Sequence, residues 1–124
     1  MNWVKKLGIK DFKGVYSRDN LPSISGSGVL NLDDSTGEGT HWVCWKNEVY
    51  FDPFGLPPPE ELRVLRYNDI QYQHKNSVLC GYFCLFFLKQ MQDYDWYNVL
   101  YKQLDPNDRI NNEKLIINYF KKHE

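Results

Sequence analysis

The sequence contains few cysteines, almost no net charge and no apolar run long enough to cross a bilayer. Fifteen Lys and Arg residues against sixteen Asp and Glu residues leave a formal charge of -1, so the chain has no overall basic field that would attract nucleic acid. Three cysteines cannot all pair within one chain, and the N-terminus shows no secretory signal. The odd number of cysteines and the lack of a visible secretory signal both predict a reducing compartment.

The composition nevertheless supports a folded core. Hydrophobic residues make up 42% of the 124 positions and aromatic residues 16%, which is too apolar for a disordered chain. Internal repeats, low-complexity tracts and domain linkers are not seen in the sequence. We therefore expect a single domain over residues 1–124 that has no membrane segment.

The most apolar stretch predicts a buried helix from about residue 77 to residue 91. It is apolar on every side of a helical wheel, so it must lie in the middle of the domain. Asn76 or Ser77 is expected to cap its N-terminus, and Cys80 falls within its first turn. Free N–H groups and the helix dipole lower the pKa of a thiol at this position, which makes Cys80 a candidate nucleophile.

Candidate partners of Cys80 lie in a predicted β-hairpin over residues 41–52. A two-residue turn at Lys46-Asn47 would place His41 directly opposite Asp52, with Cβ atoms about 5 Å apart. A one-residue slip would put the two on opposite faces, so this pairing depends on the register.

Together these residues have the chemistry of a cysteine hydrolase. His41 would act as base and later as acid, and Asp52 would hold its imidazole. The side-chain N–H₂ of Gln73 would stabilise the oxyanion together with the backbone N–H of Cys80, and Gln71 is the next candidate for that role.

The remaining pattern predicts an α+β fold, in which a small, mostly antiparallel sheet packs on the buried helix. Its other expected elements are a helix over 1–7, strands over 12–17, 28–33, 40–45 and 70–73, a flexible Gly/Ser loop over 23–28, a helix starting at Pro59, a helix over 94–104, and a last helix that carries Leu115, Ile116, Tyr119 and Phe120.

Two other classes compete with catalysis. His41-x-x-Cys44 and Cys80-x-x-x-Cys84 supply four plausible zinc ligands, but positions 41 and 44 of a strand point to opposite faces. Cys44 and Cys84 are instead expected in the core. A catalytically silent scaffold or capsid-associated binding module is the other alternative, and the complete set of His, Asp, Gln and Cys argues against it.

Three ordered blocks resemble the adenovirus protease family, including relatives encoded by virophages and Polinton-like elements. They are Gly39-Thr40-His41-Trp42, Tyr50-Phe51-Asp52-Pro53-Phe54-Gly55, and Gln73-x-x-Asn76-Ser77-x-x-Cys80-Gly81-x-Phe83-Cys84. That family belongs to the clan of the SUMO-specific proteases and has its site residues in the order His, acid, Gln, Cys. By position, the resemblance implies the same roles for His41, Asp52, Gln73 and Cys80, on a papain-like or SUMO-protease-like fold.

The resemblance also implies substrates. It predicts cleavage after small residues, chiefly Gly, in viral capsid or core precursors; the alternative is removal of ubiquitin or a ubiquitin-like protein. No cofactor is required by the sequence, although the resemblance leaves activation by DNA or a peptide open. We expect a monomer in the virion and the interior of the infected cell. Residues 24–28 fit the family's apolar-x-Gly-x-Gly pattern, which raises self-cleavage, but a flexible loop explains them more simply.

Overall fold

A computed structural model of the protein describes residues 2–20, 25–32, 41–60, 62, 64, 66–74 and 77–124. The described elements, in chain order, are α1 (Trp3–Leu7), β1 (Phe12–Ser17), a 3-10 turn (Arg18–Asn20), β2 (Ser27–Asn31), β3 (Trp42–Lys46), β4 (Val49–Phe51), β5 (Arg66–Tyr67), α2 (Cys80–Gln90), a π-helical segment (Asn98–Gln103) and α3 (Arg109–Lys122). The predicted α+β class is confirmed. In this part of the chain, no helix is both long enough and apolar enough to span a membrane.

The strands form one sheet in the order β1-β2-β3-β4-β5. The two central pairings are antiparallel, whereas β1 pairs with β2 and β4 pairs with β5 in parallel. The sheet is therefore mixed, whereas the sequence had predicted a mostly antiparallel sheet.

Each face of the sheet is covered by different residues. On one face, Phe51 of β4 stacks on Phe87 of α2 with ring centroids 4.5 Å apart, at the centre of the main core. On the other face, Tyr50 packs with Leu62 in a smaller cluster. This alternation along β4 is the period of two that a strand buried on both faces requires.

Helix α2 is largely buried, although Tyr82 is exposed, and it begins later than predicted. It starts at Cys80 itself, and its N-cap residue, Leu79, makes no side-chain capping bond. Ser77 Oγ instead accepts a hydrogen bond from Leu79 N–H (3.2 Å), one turn ahead of the helix, and Asn76 lies outside the described residues. The capping prediction is thus wrong for Ser77, and Cys80 is the first residue of the helix.

The hairpin forms, but its register differs from the prediction by two residues. Trp45 pairs with Tyr50 and Lys46 with Val49, so the turn is at residues 47–48 rather than 46–47. Asn47 adopts φ 54°, a left-handed conformation that asparagine tolerates better than lysine does. The predicted direct pairing of His41 with Asp52 is therefore wrong. An even offset nevertheless keeps the two side chains on one face.

Two elements predicted between the hairpin and α2 do not form. Residues 70–73 make no strand, because the backbone N–H groups of Tyr72 and Gln73 both donate to Pro53 O (2.9 and 3.0 Å) instead of to a ladder. No helix starts at Pro59 among the described residues there; Leu62 N–H closes a turn onto Pro59 O (3.0 Å) and buries Leu62 against the sheet.

Of the other predicted elements, some form as expected and others differ. The predicted helices over 1–7 and near the C-terminus and the strand over 12–17 are confirmed, and the strand predicted over 28–33 is observed as β2. Ser27 and Gly28 are buried in β2, so this half of the expected Gly/Ser loop is wrong; residues 21–24 and 33–40 lie outside the described part. The helix predicted over 94–104 is π-helical, and Leu104 N–H donates to Val99 O at 2.9 Å, five residues back.

Candidate active site

His41 and Asp52 meet at the open end of the central hairpin. His41 lies one residue before β3 and Asp52 one residue after β4. His41 Nε2 and Asp52 Oδ1 are 2.9 Å apart; the Asp52 side chain is fully buried and that of His41 is 15% exposed. The sequence predicted this pair, although it predicted the wrong register.

A tight turn holds both partners from one side. Asp52 Oδ1 also accepts the backbone N–H of Phe54 (2.7 Å), and Asp52 O accepts that of Gly55 (2.8 Å). The Phe54 ring stacks on the His41 imidazole with centroids 4.5 Å apart and an interplanar angle of 22°. Residues 52–54 therefore fix the plane of the imidazole, through Phe54, and the partner of its Nε2, through Asp52.

Cys80 is the first residue of α2 and is buried, with 4% of its surface exposed. The first hydrogen bond of the helix runs from Phe83 N–H to Leu79 O (3.0 Å), so the N–H groups before Phe83 belong to the free N-terminal turn. Such a turn stabilises negative charge. The helix dipole therefore acts on Cys80 at the first position of α2, as the sequence predicted.

The acid–base properties of His41 and Cys80 show that ring and thiol interact. Burial lowers the pKa of His41, but the hydrogen bond to Asp52 and the interaction with Cys80 outweigh it and raise that pKa to about 9. Burial raises the pKa of the Cys80 thiol, but His41 and backbone hydrogen bonds from Trp42 and Gly81 outweigh it and lower that pKa below its ordinary value. Both shifts favour an imidazolium–thiolate pair near neutral pH.

The His41 nitrogen that serves Cys80 follows by elimination. Nε2 is engaged by Asp52, which leaves Nδ1 for the thiol. Nδ1 is buried and makes no direct hydrogen bond within the described part of the chain. Hydrogen bonds between catalytic groups are often long before substrate binds, so this geometry is compatible with proton transfer to and from Cys80.

Gln73 is fully buried in the segment that approaches α2. Its Nε2 donates to Ser77 O (3.0 Å) and lies 3.1 Å from Ser77 Oγ. Because a carbonyl can only accept, this contact fixes which end of the amide faces Ser77. Gln71 Nε2 donates to Gln73 O (2.8 Å), so Gln71 supports the backbone of Gln73. The role of Gln73 as an oxyanion donor stays a prediction.

Asn68, which the sequence analysis did not identify as a site residue, holds the backbone of Asp52. Its Oδ1 accepts Asp52 N–H (2.9 Å), and its Nδ2 donates to Asp52 O (2.6 Å) and Ile70 O (3.1 Å). Asn68 follows the two-residue strand β5, in a stretch with no strong hydrophobic period. Nothing in the local sequence pointed to this contact.

The other two cysteines are fully buried, free thiols, as predicted for core residues. Cys44 Sγ contacts Cys84 O (3.7 Å), and Cys84 Sγ contacts Trp42 O (3.5 Å). Burial raises the pKa of the Cys84 thiol well above its ordinary value, which suits a structural thiol rather than a nucleophile. The residues that the structure describes contain no group of three or more His, Cys, Asp or Glu side chains that could hold a metal ion, so the zinc interpretation gains no support.

An apolar groove of about 420 Å³ lies beside Cys80. Trp42 and Gly81, whose backbones help to lower the pKa of Cys80, form part of its wall. Its other apolar walls come from α1, the sheet, α2 and the residues just before α2: Trp3, Val4, Phe12, Val15, Val29, Val78, Tyr82 and Leu85. The groove gives an extended chain an apolar surface next to Cys80.

Comparison with known proteins finds similarity to viral cysteine proteases. No protein-family model matches the chain. The chain is 26% identical, over 147 aligned positions, to a protein named as a SUMO-1 cysteine protease in a Kenyan pig isolate of African swine fever virus; 89% of this chain and 51% of the relative are covered. A cysteine protease from a Malawian tick isolate of the same virus is 26% identical over 125 positions, which cover 71% of this chain and 45% of the relative.

The chain therefore spans about half the length of the curated relatives it matches. A crystal structure of the protease of this virus matches 73% of this chain and 42% of its own, with a TM-score of 0.47 and 20% identity. The predicted resemblance is confirmed in its coarser form, as a likeness to viral cysteine proteases, one of them named for SUMO-1. A specific likeness to adenovirus, virophage or Polinton-like proteases stays a prediction.

Proposed function

We propose that this chain is a cysteine protease with Cys80 as nucleophile, His41 as acid–base catalyst, Asp52 as the residue that orients His41, and Gln73 as an oxyanion donor. The observation that carries the proposal is that one imidazole bonds a buried carboxylate and interacts with the thiol that starts α2. Similarity to viral cysteine proteases supports the same class.

The mechanism follows from these contacts. The Cys80 thiolate attacks the carbonyl carbon of the scissile bond and forms a tetrahedral oxyanion. N–H groups in the first turn of α2 lie next to Cys80. Gln73 Nε2 contacts Ser77 O and Ser77 Oγ, so its amide group would rotate away from Ser77 to donate to the oxyanion. Protonated His41 gives its proton to the leaving amine as the C–N bond breaks. Neutral His41 then deprotonates the water that hydrolyses the thioester.

The proposed substrate is a polypeptide with small residues, chiefly Gly, at the scissile bond, such as a capsid or core precursor. The adenovirus-type pattern also has an apolar residue further upstream. The groove supports this pattern because its apolar wall begins at Trp42 and Gly81, next to the thiol that would attack the peptide. The proposed protease would act in the virion or in the interior of the infected cell.

A ubiquitin-like tail is the second candidate substrate. One relative is named as a SUMO-1 cysteine protease, and tails of this class end in Gly-Gly. An isopeptidase would use the same four residues and the same bond-breaking steps. The two candidates differ only in what occupies the groove and the surface around it.

A substrate panel tests the proposal. Wild-type protein, Cys80→Ala and Cys44→Ala are each incubated under reducing conditions with fluorogenic Gly-Gly tails, SUMO and ubiquitin fusions, and capsid-precursor peptides, with and without DNA. We expect cleavage by wild type and Cys44→Ala and none by Cys80→Ala, since only Cys80 lies beside His41. Cleavage by Cys80→Ala at the wild-type rate would contradict the proposal.

A further inference from the structure

Asn68 holds Asp52 through both of its backbone groups. The Asn68 amide accepts from Asp52 N–H and donates to Asp52 O, so the two residues form a closed ring of hydrogen bonds. Only 4% of Asn68 is exposed, and Asp52 is fully buried. Both amide ends have fixed partners, since Asn68 Oδ1 faces a donor and Asn68 Nδ2 faces acceptors.

The same amide joins Asp52 to the segment that carries Gln73. The second hydrogen of Asn68 Nδ2 is directed to Ile70 O (3.1 Å). Three residues further on, Gln73 N–H donates to Pro53 O (3.0 Å), the carbonyl that follows Asp52. Asn68 therefore sits where the acid and the proposed oxyanion donor come together, although neither is its neighbour in sequence.

The chain contains a second copy of this arrangement away from Cys80 and His41. Asn112 Oδ1 accepts Asp105 N–H (2.7 Å), and Asn112 Nδ2 donates to Asp105 O (2.8 Å) and to Tyr72 O (3.1 Å). Like Asp52, Asp105 precedes a proline and accepts the N–H two residues on with its Oδ1, here from Asn107 at 2.9 Å. Asn112 is fully buried as well. Asn112 therefore serves as a control for the contact between Asp52 and His41, while its bond to Tyr72 O also holds the residue before Gln73.

We infer that Asn68 is a positioning residue of the active site, which sets the angle at which Asp52 meets His41 and links Asp52 to the Gln73 segment. This inference rests on the proposed function. Asn68 touches neither the thiol nor the imidazole in any hydrogen bond that it makes, so it acts through Asp52. Losing it frees the Asp52 backbone to rotate, and the carboxylate then supports the imidazolium less well.

The experiment measures the pH dependence of Cys80 alkylation by iodoacetamide in wild type, Asn68→Ala, Asn68→Ser and Asn112→Ala, with thermal unfolding of each. Each alanine variant loses three side-chain hydrogen bonds that are buried or partly buried, so both should unfold at a lower temperature. Only the Asn68 variants should move the alkylation midpoint to higher pH. At a pH below both midpoints, we expect alkylation of Asn68→Ala to slow about tenfold, which corresponds to one pKa unit. The serine variant keeps a polar group at position 68 if the alanine variant does not fold.

Two results would overturn the inference. One is a folded Asn68 variant with the wild-type midpoint, and the other is an equal shift in Asn112→Ala, which would mean that general loosening of the fold is responsible. Failure of the proposed function looks different: wild-type Cys80 would then react with iodoacetamide no faster than an ordinary thiol. Cleavage assays on the Asn68 variants should show the matching loss in kcat, with KM little changed.

Discussion

The substitution Asp52→Asn tests how His41 is kept protonated. Asparagine preserves the size of the side chain and can still accept the Phe54 N–H, but it removes the negative charge 2.9 Å from His41 Nε2. The imidazolium loses its charged partner, so the pKa of His41 falls. The thiolate of Cys80 then loses part of its own partner, so the pKa of Cys80 rises.

The structure sets the scale of the effect. Raising the pKa of His41 from 6.5 to about 9 corresponds to about 3 kcal/mol of preferential binding of the protonated form. Asp52 and Cys80 provide this stabilisation of the imidazolium together. Removing the charge of Asp52 should therefore cost about 1.5 kcal/mol, which lowers the population of the imidazolium–thiolate pair roughly tenfold. Misorientation of the ring adds to this, and we expect kcat/KM at pH 7 to fall roughly 10- to 100-fold.

The assay is kcat/KM for a Gly-containing peptide between pH 5 and pH 10, with Asp105→Asn as the matched control because Asp105 occupies the second Asp-Pro turn. Wild type should lose activity as the pH rises through about 9, where His41 loses its proton. In Asp52→Asn, the alkaline limit should move down towards 6.5, the ordinary pKa of histidine. An unchanged alkaline limit and rate would refute the role of Asp52, and an equal effect of Asp105→Asn would make it non-specific.

Two further substitutions test the oxyanion donor and the groove. Gln73→Ala should lower kcat roughly 100- to 1000-fold. Gln71→Ala is the comparison variant, because the Gln71 amide donates to Gln73 O. Equal activity of Gln73→Ala and wild type would move the donor role elsewhere. Gly81→Leu should extend a side chain into the groove, because a Cβ there would meet only Trp42 Cδ1, at 4.0 Å. We expect it to lower kcat/KM about tenfold for peptides with a large apolar residue upstream, while alkylation of Cys80 stays as in wild type; loss of both would show damage to the nucleophile instead.

The parts of the fold that could be predicted are those with a strong local pattern. Residues 80–90 are apolar on every side, and a helix of that kind has to be central, so α2 and the buried state of Cys84 followed directly. The face shared by His41 and Asp52 also survived, because a two-residue register error does not change the face of a strand.

The parts that could not be predicted depend on contacts between distant residues. Asn47 adopts a left-handed conformation in a turn at residues 47–48, whereas the sequence analysis had predicted the turn at Lys46-Asn47. Residues 70–73 have a strand-like composition, but Pro53 O takes the N–H groups that a ladder would need. Asn68 meets Asp52 across 16 positions of sequence, a contact that no local period encodes.

The most direct test of the account is a pH series of iodoacetamide alkylation on the wild-type protein, with each modified cysteine located by mass spectrometry. Cys44 and Cys84 are fully buried and serve as internal controls. The account predicts rapid modification of Cys80 alone, with a midpoint below the ordinary pKa of a thiol, since His41 and the start of α2 stabilise its thiolate. Modification of Cys80 with the midpoint of an ordinary thiol, or no faster than that of Cys44 and Cys84, would contradict it.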